Sequence, residues 1–294
     1  MSKIIQSIRF FFRKRLKISS SFVYTPIGDV TYRPDFNEID QYNEAINNDK
    51  SIMSDSSPVA HPMFYTKINW RITEKLNEYL EKPIDKRILK TIVHQSEHIS
   101  IYKPLHANDN LTVKSKLWSI EPHKKGTKMM VKFDYFSGGT LLATEYTSGI
   151  FFGVKCIGKR ICLGDKPKSF RIEEKPLREK HISINKNLPW DYAEKVKIDA
   201  PIHTNLEFAR SIGLPGNILQ GTCTLGKSVN AIIQMEQLGS SECISSISAK
   251  FTGMIVPPDI MTVRILKKTK STIYFDVLNK KKQAVIKGGQ LMKK

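Results

Sequence analysis

The chain has 294 residues, of which 40% are hydrophobic, and its formal net charge is +19. This length and composition are enough to fill the core of one large domain or of two ordinary ones. Lys, Asp or Gly interrupts every long apolar stretch before it reaches the roughly 18 residues that cross a bilayer. We therefore expect a soluble globular protein without a membrane-spanning helix.

The positive charge is concentrated at the two ends of the chain. Residues 1–28 contain six Lys and Arg and no acid, and residues 264–294 contain ten against the single Asp276. The body between them lacks zinc-finger spacing and the aromatic signature of an RNA-recognition motif. We therefore expect no nucleic-acid partner. The charge is better explained by attraction of phosphate-bearing ligands, acidic carrier proteins or anionic lipid.

The N-terminal segment, residues 1–28, interleaves apolar and basic side chains, as in "IIQSIRFFFRKRLK". The pattern is typical of a basic amphipathic helix on a membrane surface, and also of an organellar transit peptide. A tail that folds back on the body is the third interpretation.

The four cysteines form no CxxC pair and no cluster with His, which argues against a zinc site. A reducing compartment is the expected setting. We expect a cytoplasmic protein, with an organelle or the membrane periphery as the alternatives that residues 1–28 leave open.

Two distant stretches are alike, which indicates an internal repeat. "LHANDNLTVKSKL" from Leu105 aligns with "IVPPDIMTVRILK" from Ile255. Further on, "FDYFSGGTLLA" from Phe133 and "FDVLNKKKQAV" from Phe275 share Phe-Asp, then a turn, then an apolar strand. The chain therefore resembles a duplicated domain.

Both copies combine a helix with antiparallel strands, so the predicted fold class is α+β. β-branched and aromatic residues predict strands over residues 111–120, 128–136, 141–152, 245–251, 261–267 and 271–278. Helices are expected ahead of the strands, near residues 65–80 and 219–237, and each needs a curved sheet to cover its apolar surface. We place the first domain at residues 29–155, a charged linker at 156–182 and the second domain at 183–294.

The stretch "KIDAPIHTNLEFARSIGLPGNILQGTCTLGKSVN", which begins at Lys197, contains most of the candidate chemistry. His203 follows a proline and precedes a short helix that ends near Gly213. A longer helix opens near Gly221, where the missing side chain lets a ligand approach the free backbone N–H groups. Such donors, with the helix dipole, stabilise an oxygen that becomes negative during a reaction.

These residues resemble the MaoC-like, or (R)-specific, enoyl-CoA hydratases. The hydratase motif of that family is Asp-x-Asn-Pro-Leu/Ile-His, followed by Phe-Ala, a glycine turn and a His-Gly that opens the central helix. The matching positions are Pro201-Ile202-His203, Phe208-Ala209, Gly213-Leu214-Pro215 and Gly221. "VHQSEHISIYKPLHANDNLTV" from Val93 is similar to the first unit of two-domain members. The resemblance covers most of the chain.

The resemblance implies a double hotdog, in which two units, each a long helix wrapped by a curved antiparallel sheet, bind an acyl thioester between them. It implies reversible addition of water to a 2-enoyl-CoA or carrier-protein thioester, with CoA as part of the substrate and no other cofactor. His203 is the implied general acid/base, and the Gly221 N–H is the implied donor to the thioester carbonyl. We expect a monomer with a pseudo-dimeric core, or a homodimer.

The sequence departs from the motif at its carboxylate, because Ile198 occupies the position of the motif Asp. Asp199 lies one residue away, and a one-residue shift in an extended segment reverses the face. Glu194 supplies a carboxylate only if the chain folds back towards His203. We retain Asp199 and Glu194 as candidate catalytic residues.

The candidate substrate-binding residues are Gln220, which replaces the motif His, and Thr222, Cys223 and Lys250. Cys223 also fits a small buried hydrophobe, because nothing supplies a base at recognisable spacing. Lys250 and Lys287 are candidates for phosphate contacts. His94 and His98 have the spacing of helical metal ligands but run into a predicted strand, so we expect no metal site.

Two other functions stay open. A catalytically silent acyl-CoA-binding hotdog protein is favoured by the missing motif Asp. An acyl-CoA thioesterase needs a carboxylate aimed at a water near the carbonyl.

Overall fold

The computed structural model describes residues 16–46, 59–198 and 200–294. The helices in these ranges are α1 Phe36–Ile46, α2 Tyr65–Glu74, α3 Leu76–Tyr79, α4 Lys86–Leu89, α5 Leu188–Val196, α6 Pro201–Thr204, α7 Leu206–Ser211 and α8 Gly221–Met235. The strands are β1 Lys17–Ser19, β2 Val30–Tyr32, β3 Ile92–Ile101, β4 Leu111–His123, β5 Gly126–Ser137, β6 Thr140–Phe152, β7 Lys155–Ile157, β8 Ile161–Cys162, β9 Arg178–Ile184, β10 Ile244–Phe251, β11 Asp259–Lys268, β12 Thr272–Leu278 and β13 Ala284–Lys293.

One antiparallel sheet contains both copies of the repeat. Its order is β2-β4-β5-β6-β3-β10-β13-β12-β11-β9, and β8 pairs with β4. Counted outwards from the centre, the first unit has the order β3-β6-β5-β4-β2 and the second has β10-β13-β12-β11-β9. Strands that correspond in the chain therefore occupy corresponding places, and the predicted duplication and double hotdog are confirmed.

The two units join where β3 pairs with β10. The pairing is antiparallel and runs from Ser100 opposite Ser246 to Ser96 opposite Lys250. Ile99 and Ile247 face each other in this register, and both are fully buried. The sheet hydrogen bonds and the apolar core therefore continue without interruption from one unit to the other.

Each unit wraps its part of the sheet around one helix. In α8 every residue from Cys223 to Ile233 is buried, and α2 buries Tyr65, Ile68 and Ile72. Both predicted helices are present, but the first is divided because Lys75 leaves the helical conformation, with φ −102° and ψ 21°. The six predicted strands are confirmed as β4, β5, β6, β10, β11 and β12.

Residues 16–28 belong to the first unit. β1 pairs in parallel with β7, and Leu16, Ile18 and Val23 are buried. For these residues the surface-helix interpretation is wrong, because their apolar side chains enter the core; residues 1–15 lie outside the described ranges. The predicted linker begins inside β7 and ends inside β9. No helix in the described ranges combines the length and the apolar character needed to cross a membrane.

His61 connects the two units at the centre of the molecule. Its Nδ1 accepts the N–H of Met63 at 3.1 Å, and its Nε2 lies 3.1 Å from Oδ1 of Asn230 on α8. Because Nδ1 accepts, the proton of the neutral ring is on Nε2, which donates to Asn230. Burial lowers the pKa of His61 to about 3.

Ile247→Ala should lower the free energy of unfolding by about 2–4 kcal/mol, because it leaves a cavity where the two units meet. The matched control is Ile260→Ala in β11, a residue that is 50% exposed and whose truncation should cost less than about 1 kcal/mol. Urea denaturation followed by tryptophan fluorescence measures both. Equal losses in the two variants would contradict a tightly packed junction.

Acid should destabilise the protein through His61. Its folded-state pKa lies below its unfolded value, so its stabilising contribution is complete above about pH 6.5 and is lost as the pH falls. Between pH 7 and pH 4 this loss should approach roughly 3 kcal/mol. The unfolding free energies of wild type and His61→Asn should therefore converge as the pH falls, measured by urea titration. A constant difference between the two proteins would show that His61 is not held neutral.

Candidate active site

Two hydrogen bonds tie the loop before α8 to α6. The N–H of Ile218 donates to the carbonyl of Ile202 at 3.2 Å, and Nδ1 of His203 lies 2.7 Å from the carbonyl oxygen of Ile218. Because a carbonyl can only accept, Nδ1 carries the proton, and the lone pair of the neutral imidazole is on Nε2. His203 is half-buried and can exchange a proton through Nε2 while Nδ1 holds the ring.

Local signals in the sequence explain this geometry. Pro201 opens α6, where its fixed φ suits the first helical position. Asn205 ends α6 and caps α7, because its side chain accepts the N–H of Phe208 at 2.8 Å. Gly213 then turns the chain with a φ of 86°. The two short helices therefore return the chain to Ile218 beside His203.

The first turn of α8 is open. It has neither a side-chain cap nor an acidic residue. The side chain of Gln220 turns away from the helix and donates to the carbonyl of Pro189 at 2.9 Å. Within the described residues, the helix hydrogen bonds begin at Thr224, whose N–H donates to Gln220 at 3.0 Å. The N–H groups of residues 221–223 are therefore left for a ligand at the positive end of the dipole.

Glycine at position 221 lets α8 approach the junction between the units. A Cβ there would lie 3.1 Å from the ring of Phe251, the last residue of β10. The same ring contacts His94 of β3, with centroids 4.6 Å apart. The side chain of Phe251 thus lies between the open end of α8 and His94 of the first unit.

The repeat identifies the corresponding helix start in the first unit. Leu219 donates its N–H to Ile255 at 2.9 Å, and Ala60 donates its N–H to Leu105 at 2.9 Å. Because Leu105 and Ile255 align in the sequence, Ala60 corresponds to Leu219. The next residues, His61 and Pro62, therefore correspond to Gln220 and Gly221.

The helix start in the first unit is closed. Pro62 has no N–H to offer. The side chain of His61 caps the following turn by accepting the N–H of Met63. Among the described residues, the start of α8 therefore presents backbone donors to a ligand and the corresponding start in the first unit does not.

The two predicted carboxylates differ in what the structure describes of them. Glu194 is exposed on α5, whose buried side carries Tyr192, Ala193 and Val196. The helix turns this side chain towards solvent, and a part for Glu194 in the site stays a prediction. Asp199 lies outside the described residues. Ile198, at the motif Asp position, is buried in the core.

Three further candidates have distinct surroundings. Thr222 accepts a hydrogen bond from Tyr192 at 3.1 Å, which anchors α5 to α8. Cys223 is fully buried and burial raises its pKa to about 12, so its side chain packs in the core and does not line the site. Lys250 is exposed and, as the neighbour of Phe251 in a strand, points to the opposite face of the sheet. It pairs in register with Lys287, and a phosphate contact there stays a prediction.

The sequence indicated His94 only as half of a rejected metal-ligand pair, and it did not indicate that His94 contacts Glu97. Strict alternation in β3 would place them on opposite faces. An irregularity in the pairing of β3 with β6, between His94 and Ser96, brings Nε2 of His94 within 3.1 Å of Oε2 of Glu97. No sequence signal marks this bulge. The part of the chain that the structure describes holds no cluster of three His, Cys, Asp or Glu suited to a metal ion.

Known proteins resemble both the sequence and the fold. Residues 168–287 match the family model described as MaoC like domain. The peroxisomal enoyl-CoA hydratase 2 of Arabidopsis thaliana is 22% identical over 235 residues, which are 72% of each chain. The peroxisomal multifunctional enzyme type 2 of Drosophila melanogaster is 21% identical over 243 residues, which are 80% of this chain and 40% of that protein.

A solved MaoC-like dehydratase from Phytophthora capsici superposes with a TM-score of 0.80 at 16% identity, over 93% of this chain and 97% of the other. This likeness covers both units and the junction between them, whereas the family model covers the unit that contains His203 and α8. Residues 168–287 thus match the MaoC-like domain, and the chain as a whole has the fold of a solved MaoC-like dehydratase.

Proposed function

We propose that the chain adds water reversibly to a 2-enoyl thioester to give a 3-hydroxyacyl thioester. One observation carries the proposal: a titratable imidazole, fixed through Nδ1 by Ile218, lies in the same loop assembly as the uncapped start of α8. The imidazole exchanges protons, and the helix start supplies donors to an oxygen.

Each of these groups has a step to perform. The N–H of Gly221 donates to the thioester oxygen, which gains negative charge as the hydroxyl of water bonds to C3. Two proton transfers accompany that bond, one from the attacking water and one to C2. His203 performs one of them through Nε2.

The proposed substrate class is supported by the net charge of the chain and by the enoyl-CoA hydratase to which it is similar. The net charge of +19 favours a phosphate-bearing thioester, either an acyl-CoA or an acyl carrier protein. CoA enters as part of the substrate, and the reaction needs no other cofactor. Because one chain holds both units, we infer a monomer with a pseudo-dimeric core. The four free cysteines support the cytoplasm as its compartment.

A silent thioester-binding protein is the second candidate. Ile198 places a buried apolar side chain where the family motif has its Asp, which removes one acid–base group from the usual place. The two candidates differ in turnover and not in binding.

The reaction class is tested with crotonyl-CoA and trans-2-decenoyl-CoA, by following enoyl absorbance and free thiol together. Loss of absorbance without thiol supports hydration, and release of thiol indicates a thioesterase. Binding of both thioesters without either change supports the silent protein and contradicts our proposal.

His203→Gln should lower kcat for hydration by about 10²–10⁴-fold and change KM much less, because glutamine can still donate to Ile218 but cannot exchange a proton. Steady-state kinetics with crotonyl-CoA measure both constants. His181→Gln, on the exposed surface of β9, is the matched control. If the two variants had equal rates, His203 would have no part in the chemistry.

Gly221→Pro should lower kcat by about 10²–10³-fold relative to Gly221→Ala, because only proline removes the N–H donor. Both substitutions introduce the same Cβ beside Phe251, so alanine controls for the steric cost. Gln220, with φ −59° and ψ 136°, already has a conformation that tolerates a following proline. Kinetics and circular dichroism are compared for the pair, and equal rates would remove Gly221 from the mechanism.

A further inference from the structure

His94 lies at the edge of the proposed site although it belongs to the first unit. Its ring packs on Phe251, with centroids 4.6 Å apart and planes at 55°. Phe251 in turn covers the Cα of Gly221. His94 therefore approaches the open end of α8 from the side of β3, whereas His203 approaches it from α6.

The hydrogen bonds of His94 fix its tautomer. Nε2 lies 3.2 Å from the carbonyl oxygen of Ser96, 3.0 Å from Oγ1 of Thr147 and 3.1 Å from Oε2 of Glu97. The carbonyl of Ser96 can only accept, so Nε2 carries the proton and donates to it, and the lone pair is on Nδ1. In the described residues Nδ1 has no protein partner, and the side chain is 32% exposed. The free nitrogen is thus accessible to a small molecule.

A cluster of two buried carboxyl groups lies next to the His94 ring. Glu97 and Glu145 are both fully buried, and Glu145 is held by Asn69 and Tyr135. Burial raises the pKa of Glu97 to about 8, and burial with the neighbouring Glu97 raises that of Glu145. Burial also lowers the pKa of His94. At neutral pH the His94 ring is therefore uncharged and able to accept a proton. The neighbouring carboxyl of Glu97 does not make the ring positively charged.

We propose that His94 is a second acid–base residue of the hydratase site, contributed by the first unit across the β3–β10 junction, with Glu97 as its positioning residue. The inference rests on the proposed function. In this proposal His94, from the first unit, supplies the acid–base group that is missing because Ile198 occupies the position of the motif Asp.

The two imidazoles divide the proton transfers. In hydration, Nδ1 of His94 takes a proton from water as the water oxygen bonds to C3, and protonated His203 gives a proton from Nε2 to C2. The double bond between C2 and C3 is lost, and the electron pair passes through the enolate held by Gly221. Solvent then returns a proton from His94 to His203, so only water and the enoyl thioester are consumed. Dehydration reverses each step.

The first test is kinetic. His94→Gln should lower kcat for crotonyl-CoA hydration by about 10²-fold or more, with KM changed by less than about threefold. His98→Gln is the matched control, four residues along β3, where the ring faces Tyr146 on the other side of the sheet. Equal rates in His94→Gln and His98→Gln would overturn the inference while leaving the hydratase proposal intact.

Glu97→Gln tests the positioning role, because the amide keeps the shape of the carboxyl but replaces one of its two oxygens with an NH₂ group, which cannot accept. It should lower kcat about tenfold with KM unchanged. The ¹⁵N resonances of His94 should also show a larger share of the other tautomer. An unchanged kcat, or unchanged His94 resonances, would remove Glu97 from the proposal. Urea denaturation of each variant shows whether a lost rate reflects unfolding.

A binding experiment separates the inference from the proposed function. In protein labelled with ¹⁵N-histidine, saturating butyryl-CoA or decanoyl-CoA should displace the imidazole resonances of His94 and His203, and leave those of His98 in place. If wild type hydrates neither enoyl thioester, the proposed function fails. In that case displaced His94 resonances would keep the residue as a contact but overturn its catalytic role. Resonances of His94 that do not move would overturn the inference outright.

Discussion

Backbone hydrogen bonds between β3 and β10 bring together the groups that the two units contribute to the proposed site. Each unit alone is a curved sheet around one helix, and the end of that helix would face solvent. Pairing the two sheets in one register places Phe251, at the end of β10, against both Gly221 and His94. The open helix start is therefore enclosed by two units. A slip of this register by one residue would reverse the face of every side chain along β3.

The two helix starts have the same backbone connection, but their residues differ in whether they leave N–H donors for a ligand. The same backbone hydrogen bond leads into both helices, from Ala60 in one unit and from Leu219 in the other. Beyond it, Pro62 and the capping His61 close the first start, whereas Gly221 and the outward-turned Gln220 leave the second open. The first unit does not bind the thioester oxygen in the proposed site, and it contains the buried carboxyl cluster next to His94. A symmetric dimer would contain that cluster in both of its subunits.

Much of the fold was predictable because its signals are local. β-branched runs with turns located the strands, and the match of Leu105 with Ile255 identified positions that make the same hydrogen bond. In the site, proline, asparagine and glycine signals located the loop that holds His203. The side of α5 on which Glu194 lies depends on what that helix packs against, and the face of His94 depends on one irregular residue in β3. Both are decided by tertiary packing, which a sequence pattern does not encode.

The continuous sheet also decides how the site responds to dilution. A hotdog site assembled from two separate chains is lost when protein concentration falls below the dissociation constant of the dimer. Here both partners of the β3–β10 pairing lie on one chain, so the local concentration of one unit around the other is fixed by the connecting segment. Each molecule therefore contains the whole site, and the site stays complete at low protein concentration.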